Sequence, residues 1–253
     1  MGPRIAIPMP HSVDLEYAER AIRQYERAVA LAGGEPVRIE LHQSNQEVLH
    51  AIEDCQGILL PGSKADINPT RYHVQPSPHT AGADERREEV DNLLLDDAYR
   101  LHKSIIGICY GLQSLNVYRG GTLVQHIPDY LPEETRAKVN HEAGKNVAVA
   151  HQAATAGDSV LASIIADGQG GDTKTQVLVP VNSSHHQSAD KIGKGLRIVS
   201  RCPDDGIIEA LEGTSADHFV LAVQWHPERS ADQDEPSRAI FRAMIDAARQ
   251  WRS

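Results

Sequence analysis

The chain reads as an α/β protein: an open, mostly parallel β-sheet with helices on both faces. Three observations predict this. Short β-like runs alternate with helical stretches through the first half, the connections between those runs are long enough to be crossover helices, and the best nucleophile candidate sits on a strand-to-helix corner. In order, Arg4 to Met9 reads as a strand, Leu15 to Leu31 as a helix and Pro36 to Leu41 as a strand. A short helix near Asn45 to Ile52, the strand Gly57 to Leu60, a helix from Ala83 to His102 and the strand Ser104 to Ile108 follow. Within the first helix Ala18, Ala21, Ile22, Tyr25, Ala28, Val29 and Ala32 recur at three- and four-residue spacing, and Gly33-Gly34 supplies its stop. Strands dominate the second half: Asn146 to Ala150, Gln176 to Val181, Gly195 to Ser200, Ile207 to Leu211 and Phe219 to Val223. Glu235 to Trp251 reads as a closing helix.

The 253 residues suffice for one substantial core, and no internal repeat or long linker divides them, so a single domain over 1–253 is expected. Lys64 to Gly82 carries three prolines and two histidines without apolar periodicity, and reads as a long loop of the kind that is usually functional or disordered. The charge run Asp84 to Glu89 reads as the solvated start of a helix. A formal net charge of −10 gives no electrostatic footprint for nucleic acid or an anionic membrane, so a small-molecule partner is expected. No apolar run approaches the roughly 20 residues of a membrane span, and a cytoplasmic protein is expected. Three scattered cysteines, Cys55, Cys109 and Cys202, suit a reducing compartment. A compact acidic α/β domain is compatible with a homodimer.

The stretch Gly-Ile-Cys-Tyr-Gly-Leu-Gln, residues 107–113, places Cys109 between two glycines where a strand turns into a helix. A nucleophile on such a corner holds a strained backbone conformation, and its neighbours must lack a Cβ to avoid collision. A thiol there needs a base, and the base an orienting group. His226, at the end of the run Phe219 to Val223, is the candidate base, and Glu228, two residues on, would share its face in an extended chain and so reach the imidazole. Pro227 between them stiffens the pair. For the oxyanion, the Tyr110 amide at the helix start is one donor, and the tight loop Leu59-Leu60-Pro61-Gly62-Ser63 offers a second: Gly62, or failing it Ser63.

These residues, with Gln-Trp-His-Pro-Glu at 224–228, resemble the class I glutamine amidotransferase-like superfamily and its flavodoxin-like fold. Pro61-Gly62-Ser63, Gly120-Gly121-Thr122-Leu123 and Val-Asn-Ser-Ser-His-His-Gln at 181–187 resemble its gamma-glutamyl hydrolase branch, which includes gamma-glutamyl-GABA hydrolases. The resemblance implies attack by Cys109 on a γ-glutamyl amide, release of the amine and hydrolysis of the thioester. It gives His226 the role of base and acid, Glu228 that of orienter, and Gln113 a contact to the glutamyl group. Tyr110 departs from the arginine that often follows the nucleophile in the gamma-glutamyl-GABA branch, which leaves the leaving amine open.

Competing readings accompany these. Gln113 could instead satisfy backbone groups at the helix start. Ser63 and His186 are further candidates for substrate contact. His185 and His186 invite a metal reading, but adjacent residues of a strand face opposite ways, and no His-x-His or His-x-x-x-His pair occurs, so no metal and no organic cofactor is expected. Cys55 and Cys202 read as inert core residues. The rival enzyme reading is a glutaminase subunit that supplies ammonia to a separate synthase, and the rival from another class is an inactive binding module on the same fold.

Overall fold

The computed structural model describes residues 2–169 and 176–251. Its strands are β1 (Arg4–Pro8), β2 (Glu35–Ile39), β3 (Gly57–Leu60), β4 (Ser104–Ile108), β5 (Leu123–Val124), β6 (His151–Thr155), β7 (Val177–Val181), β8 (Ser188–Ala189), β9 (Leu196–Arg201), β10 (Ile208–Gly213) and β11 (Val220–Val223). The helices are α1 (Leu15–Leu31), α2 (Asn45–Glu53), α3 (Glu85–Leu101), α4 (Tyr110–Tyr118), α5 (Ile127–Tyr130), α6 (Glu133–Arg136), α7 (Val160–Gln169) and α8 (Glu235–Gln250).

Nine strands form one sheet in the order β2-β1-β3-β4-β11-β10-β9-β6-β7. The neighbours from β2 to β11 pair in parallel and those from β11 to β7 antiparallel, so only β10 and β6 run against the rest. The fold is therefore the expected α/β class, with α1, α7 and α8 forming one helical layer and α2, α3 and α4 the other. The central strands β3, β4 and β11 are buried along their whole length, which is why they read as continuous apolar runs rather than alternating ones. Helix α1 turns Ala18, Ile22, Tyr25, Ala28 and Val29 inward, close to the stripe its spacing predicts, and Asp14 caps its first turn.

Three expectations are corrected. Asn146 to Ala150 is not a strand: the ladder with β7 starts at His151, opposite Val181, and leaves Val147 and Val149 half exposed. Alternating Val and Ala imitated a strand whose register a partner had to set. Second, the charge run at the start of α3 is not wholly solvated. Asp84, Arg87 and Glu88 are buried, because Asp84 caps the helix and accepts hydrogen bonds from Ser12, while the guanidinium of Arg87 reaches Asp91 and the carbonyls of Pro10 and Pro61. Third, the loop 64–82 is anchored at its start. Ala65, Ile67 and Tyr72 pack with Tyr110, Val117 and Leu123 in a small separate core, and the segment Pro69–Tyr72 forms a 3-10 turn.

Candidate active site

Three neighbouring strands deliver the candidate residues to one edge of the sheet. Leu60 of β3 pairs with Gly107 of β4, and Ile108 of β4 pairs with Val223 of β11, so the segments leaving all three strands emerge side by side. Position 109 has φ 52° and ψ −105°, a conformation that costs a non-glycine residue of order 1–3 kcal/mol. The corner persists because both flanking glycines are enforced by close approach. A Cβ on Gly111 would lie 2.1 Å from the Leu60 carbonyl oxygen, and one on Gly107 would lie 2.7 Å from the Gly111 carbonyl oxygen. The Cys109 amide donates to the Val223 carbonyl at 2.8 Å, which ties the elbow to the strand carrying the base.

His226 and Glu228 meet as expected, by a different route. Pro227–Arg229 is a 3-10 turn rather than an extension of β11, and it brings Glu228 Oε1 to 2.7 Å from His226 Nδ1. Burial would drive the imidazole toward its neutral form. The Glu228 carboxylate and the neighbouring Cys109 sulfur outweigh that and push its pKa up to about 9. At neutral pH the ring is therefore an imidazolium held between the Glu228 carboxylate and the Cys109 sulfur, the arrangement that activates a cysteine nucleophile.

Asn182, to which the sequence pattern alone assigns no role, fixes the base. Its Oδ1 accepts the His226 amide at 2.8 Å and its Nδ2 donates to the His226 carbonyl at 2.9 Å. Its only sequence signal was its place in the 181–187 motif.

The oxyanion loop requires a correction. The Gly62 amide donates to the Tyr25 hydroxyl at 3.0 Å and so does not point at the thiol as a free donor. Glycine is needed there for space: a Cβ would lie 2.9 Å from the Tyr25 hydroxyl and 3.1 Å from His226 Cε1. Among the described residues neither the Ser63 nor the Tyr110 amide has a hydrogen-bond acceptor, and these two remain as donors. The Ser63 hydroxyl accepts the Ala65 amide at 3.1 Å, which closes the loop on itself. The Tyr110 ring turns away into the small core, 4.9 Å beneath the Arg87 guanidinium, whose Pro61 contact holds the oxyanion loop.

Cys109, Ser63, Tyr110, Gln113, His186 and His226 all line one cavity of about 290 Å³. Gln113 lines the cavity and does not satisfy backbone groups at the helix start: its amide nitrogen donates instead to the distant Gln187 carbonyl at 3.2 Å and to Gln224 Oε1 at 3.3 Å. His186 meets Asp66 Oδ1 at 3.0 Å, and that contact raises its pKa against burial. Lys64, Lys145 and Arg229 bring positive charge to the rim.

The match to known proteins follows this geometry. Residues 6–228 match the family model described as Peptidase C26. The chain belongs to the Peptidase C26 family. It is 36% identical over 224 residues to a Mycobacterium tuberculosis protein named "Putative glutamine amidotransferase", covering 88% of this chain and 66% of that relative. It is 28% identical over 228 residues to the gamma-glutamyl-gamma-aminobutyrate hydrolase PuuD of Escherichia coli K12, covering 88% of this chain and 84% of the relative. Among solved structures, a Thermoplasma acidophilum protein described as a "putative gmp synthase subunit a protein" superposes with a TM-score of 0.61 at 12% identity, over 99% of this chain and 96% of that one, which establishes the fold alone. As a Peptidase C26 member the chain falls in a group of hydrolases and glutamine amidotransferases. No helix among the described residues is long and apolar enough to cross a membrane.

Proposed function

We propose that the protein is a cysteine-dependent hydrolase that cleaves the γ-glutamyl amide bond of a small γ-glutamyl compound. One observation carries the reading: Cys109 on a strained elbow beside an imidazole that Glu228 holds at 2.7 Å and keeps protonated near neutral pH. In this scheme the Cys109 sulfur attacks the γ-carbonyl, and the Ser63 and Tyr110 amides take the developing oxyanion. His226 gives its proton to the leaving amine. It then takes one from the water that hydrolyses the thioester, returning carboxylate and thiol.

The size and lining of the site support a small substrate. A cavity of about 290 Å³ accommodates a glutamyl group, and charges of both signs line it, Asp66 and Glu142 beside Lys145 and Arg229. A second cavity of about 300 Å³ shares Glu142, His185 and His186 with the first and is walled by Ile127, Pro128, Leu131 and Val139, with Arg136 at its edge. An aliphatic amine ending in a carboxylate, such as γ-aminobutyrate, matches that lining. The similarity to PuuD supports the same substrate class.

A second reading, a glutaminase subunit supplying ammonia to a synthase, draws on the amidotransferase name of the Mycobacterium tuberculosis relative. Release of free glutamate by the purified protein alone separates the two. The panel is γ-glutamyl-GABA, glutamine, a γ-glutamyl dipeptide and a γ-linked polyglutamate, with Cys109→Ala as the blank. Turnover of a non-glutamine compound supports the hydrolase. Turnover of glutamine alone, or of nothing until a partner is added, supports the glutaminase reading.

A further inference from the structure

Beneath the loop that carries Asn182 and His186 lies a buried cluster that the proposed reaction does not use. His141, His151, His185 and Glu209 come from four separate segments and are all nearly inaccessible to solvent. Glu209 Oε1 stands 3.2 Å from His141 Nδ1, 3.3 Å from His151 Nε2 and 3.6 Å from His185 Nε2. None of these four atoms makes a hydrogen bond of proper geometry, although buried polar atoms almost always do.

We infer that His141 Nδ1, His185 Nε2 and Glu209 Oε1 form a binding site for a zinc-class divalent metal ion, with His151 packed against its edge. Bonds of about 2.0–2.1 Å in a tetrahedral site separate donor atoms by about 3.3 Å, close to the spacings around Glu209 Oε1. The donors of His141, His185 and Glu209 lie within 4.8 Å of one another, a distance that small side-chain shifts close.

The outer contacts point the same way. Every histidine has its other ring nitrogen held by an acceptor: His141 Nε2 by Asp205 at 2.8 Å, His185 Nδ1 by the Gln187 carbonyl at 2.8 Å and His151 Nδ1 by the Gln152 carbonyl at 2.9 Å. Those contacts orient the rings toward Glu209 and are the usual outer support for metal-bound imidazoles. Cys202, buried in the small core beside Ile127 and Leu131, adds a soft donor near the cluster, its sulfur lying within 4.8 Å of donor atoms of His141 and Asp205. Imidazole donors with a nearby thiol select zinc, and disfavour magnesium or calcium. The second cavity, which His141 and His185 line, provides the approach.

The ion has a structural consequence for the active site without touching the substrate. His185 lies between Asn182, which clamps His226, and His186, which lines the thiol cavity, while Ser183 Oγ donates to Glu209 Oε2 at 3.4 Å. A metal at Glu209 would pin this loop to β10.

The test uses the full chain, stripped by dialysis against a chelator, equilibrated with zinc chloride, passed through gel filtration and analysed for metal by mass spectrometry. About one zinc per chain is expected, with Tm raised by roughly 5–10 °C when free zinc is a hundred times its Kd. A cobalt-substituted sample should show the intense visible bands of a tetrahedral site. Loss of stoichiometric zinc in His141→Ala and His185→Ala, with its retention in His186→Ala, would assign the ligands. Zinc that washes out of the wild type, or an unchanged Tm and an octahedral cobalt spectrum, would overturn the site. Because the wild-type measurements stand alone, a variant that fails to fold does not blunt the test, and none of the readouts depends on turnover.

Discussion

Replacing Glu228 by Gln removes the charge that outweighs burial at His226 while preserving the shape of the side chain. The imidazole stands at about 9 in the intact site against an ordinary value of 6.5. Such a gap corresponds to about 3 kcal/mol between its two protonation states. Glu228 is the largest favourable contribution, so without it the buried ring should fall toward the ordinary value. At about pH 7.5 the protonated fraction then drops from nearly complete to roughly one-tenth. Alkylation of Cys109 by iodoacetamide at that pH should slow about tenfold, because the thiolate loses its imidazolium companion. Glutamate release should fall while remaining measurable, since nucleophile and base both persist. The same charge enters stability with a definite sign. A ring whose folded pKa lies above its unfolded pKa contributes its full stabilisation below about 6.5 and loses it as pH rises through about 9. Urea melts at about pH 6 and about pH 9.5 should therefore show a wild-type loss that Glu228→Gln lacks. NMR titration of His226 supplies the direct check. A variant whose ring still titrates near 9, with wild-type alkylation and turnover, would refute the reasoning.

Other outcomes follow from particular contacts. Cys109→Ala should abolish glutamate release with the fold intact, and Cys109→Gly should be more stable than Cys109→Ala by about 1 kcal/mol, because glycine accepts φ 52° without strain; equal melting temperatures would argue against a strained elbow. Gly111→Ala forces a Cβ to 2.1 Å from the Leu60 carbonyl and should destabilise by roughly 1–3 kcal/mol in chemical denaturation. Asn182→Ala removes two hydrogen bonds to the His226 backbone, at about 1 kcal/mol each, and should lower kcat more than it raises KM. Ser63→Ala should leave turnover within a few-fold of wild type, since its amide is the proposed donor; a loss of a hundred-fold or more would move the role to the hydroxyl.

Much of this molecule is decided locally, and local features are legible in a sequence. The glycines around Cys109 announced the elbow, since a positive φ and close backbone approaches leave few other residues. The apolar runs 57–60, 104–108 and 219–223 announced the buried strands, and Pro227 announced the stiff link between base and orienter. What the tertiary structure alone decided depends on segments far apart in the chain. The partner of the Gly62 amide is Tyr25 on the first helix, which moves the oxyanion donor to Ser63. The clamp on His226 comes from Asn182, and the interior location of Arg87 depends on the carbonyls of Pro10 and Pro61. His141, His151, His185 and Glu209 carry no diagnostic spacing, because their convergence is set by the pairing of β6, β9 and β10 and by the loops beside them. Short-range sterics and periodicity are written residue by residue, whereas the meeting of distant side chains exists only once the sheet has closed its register.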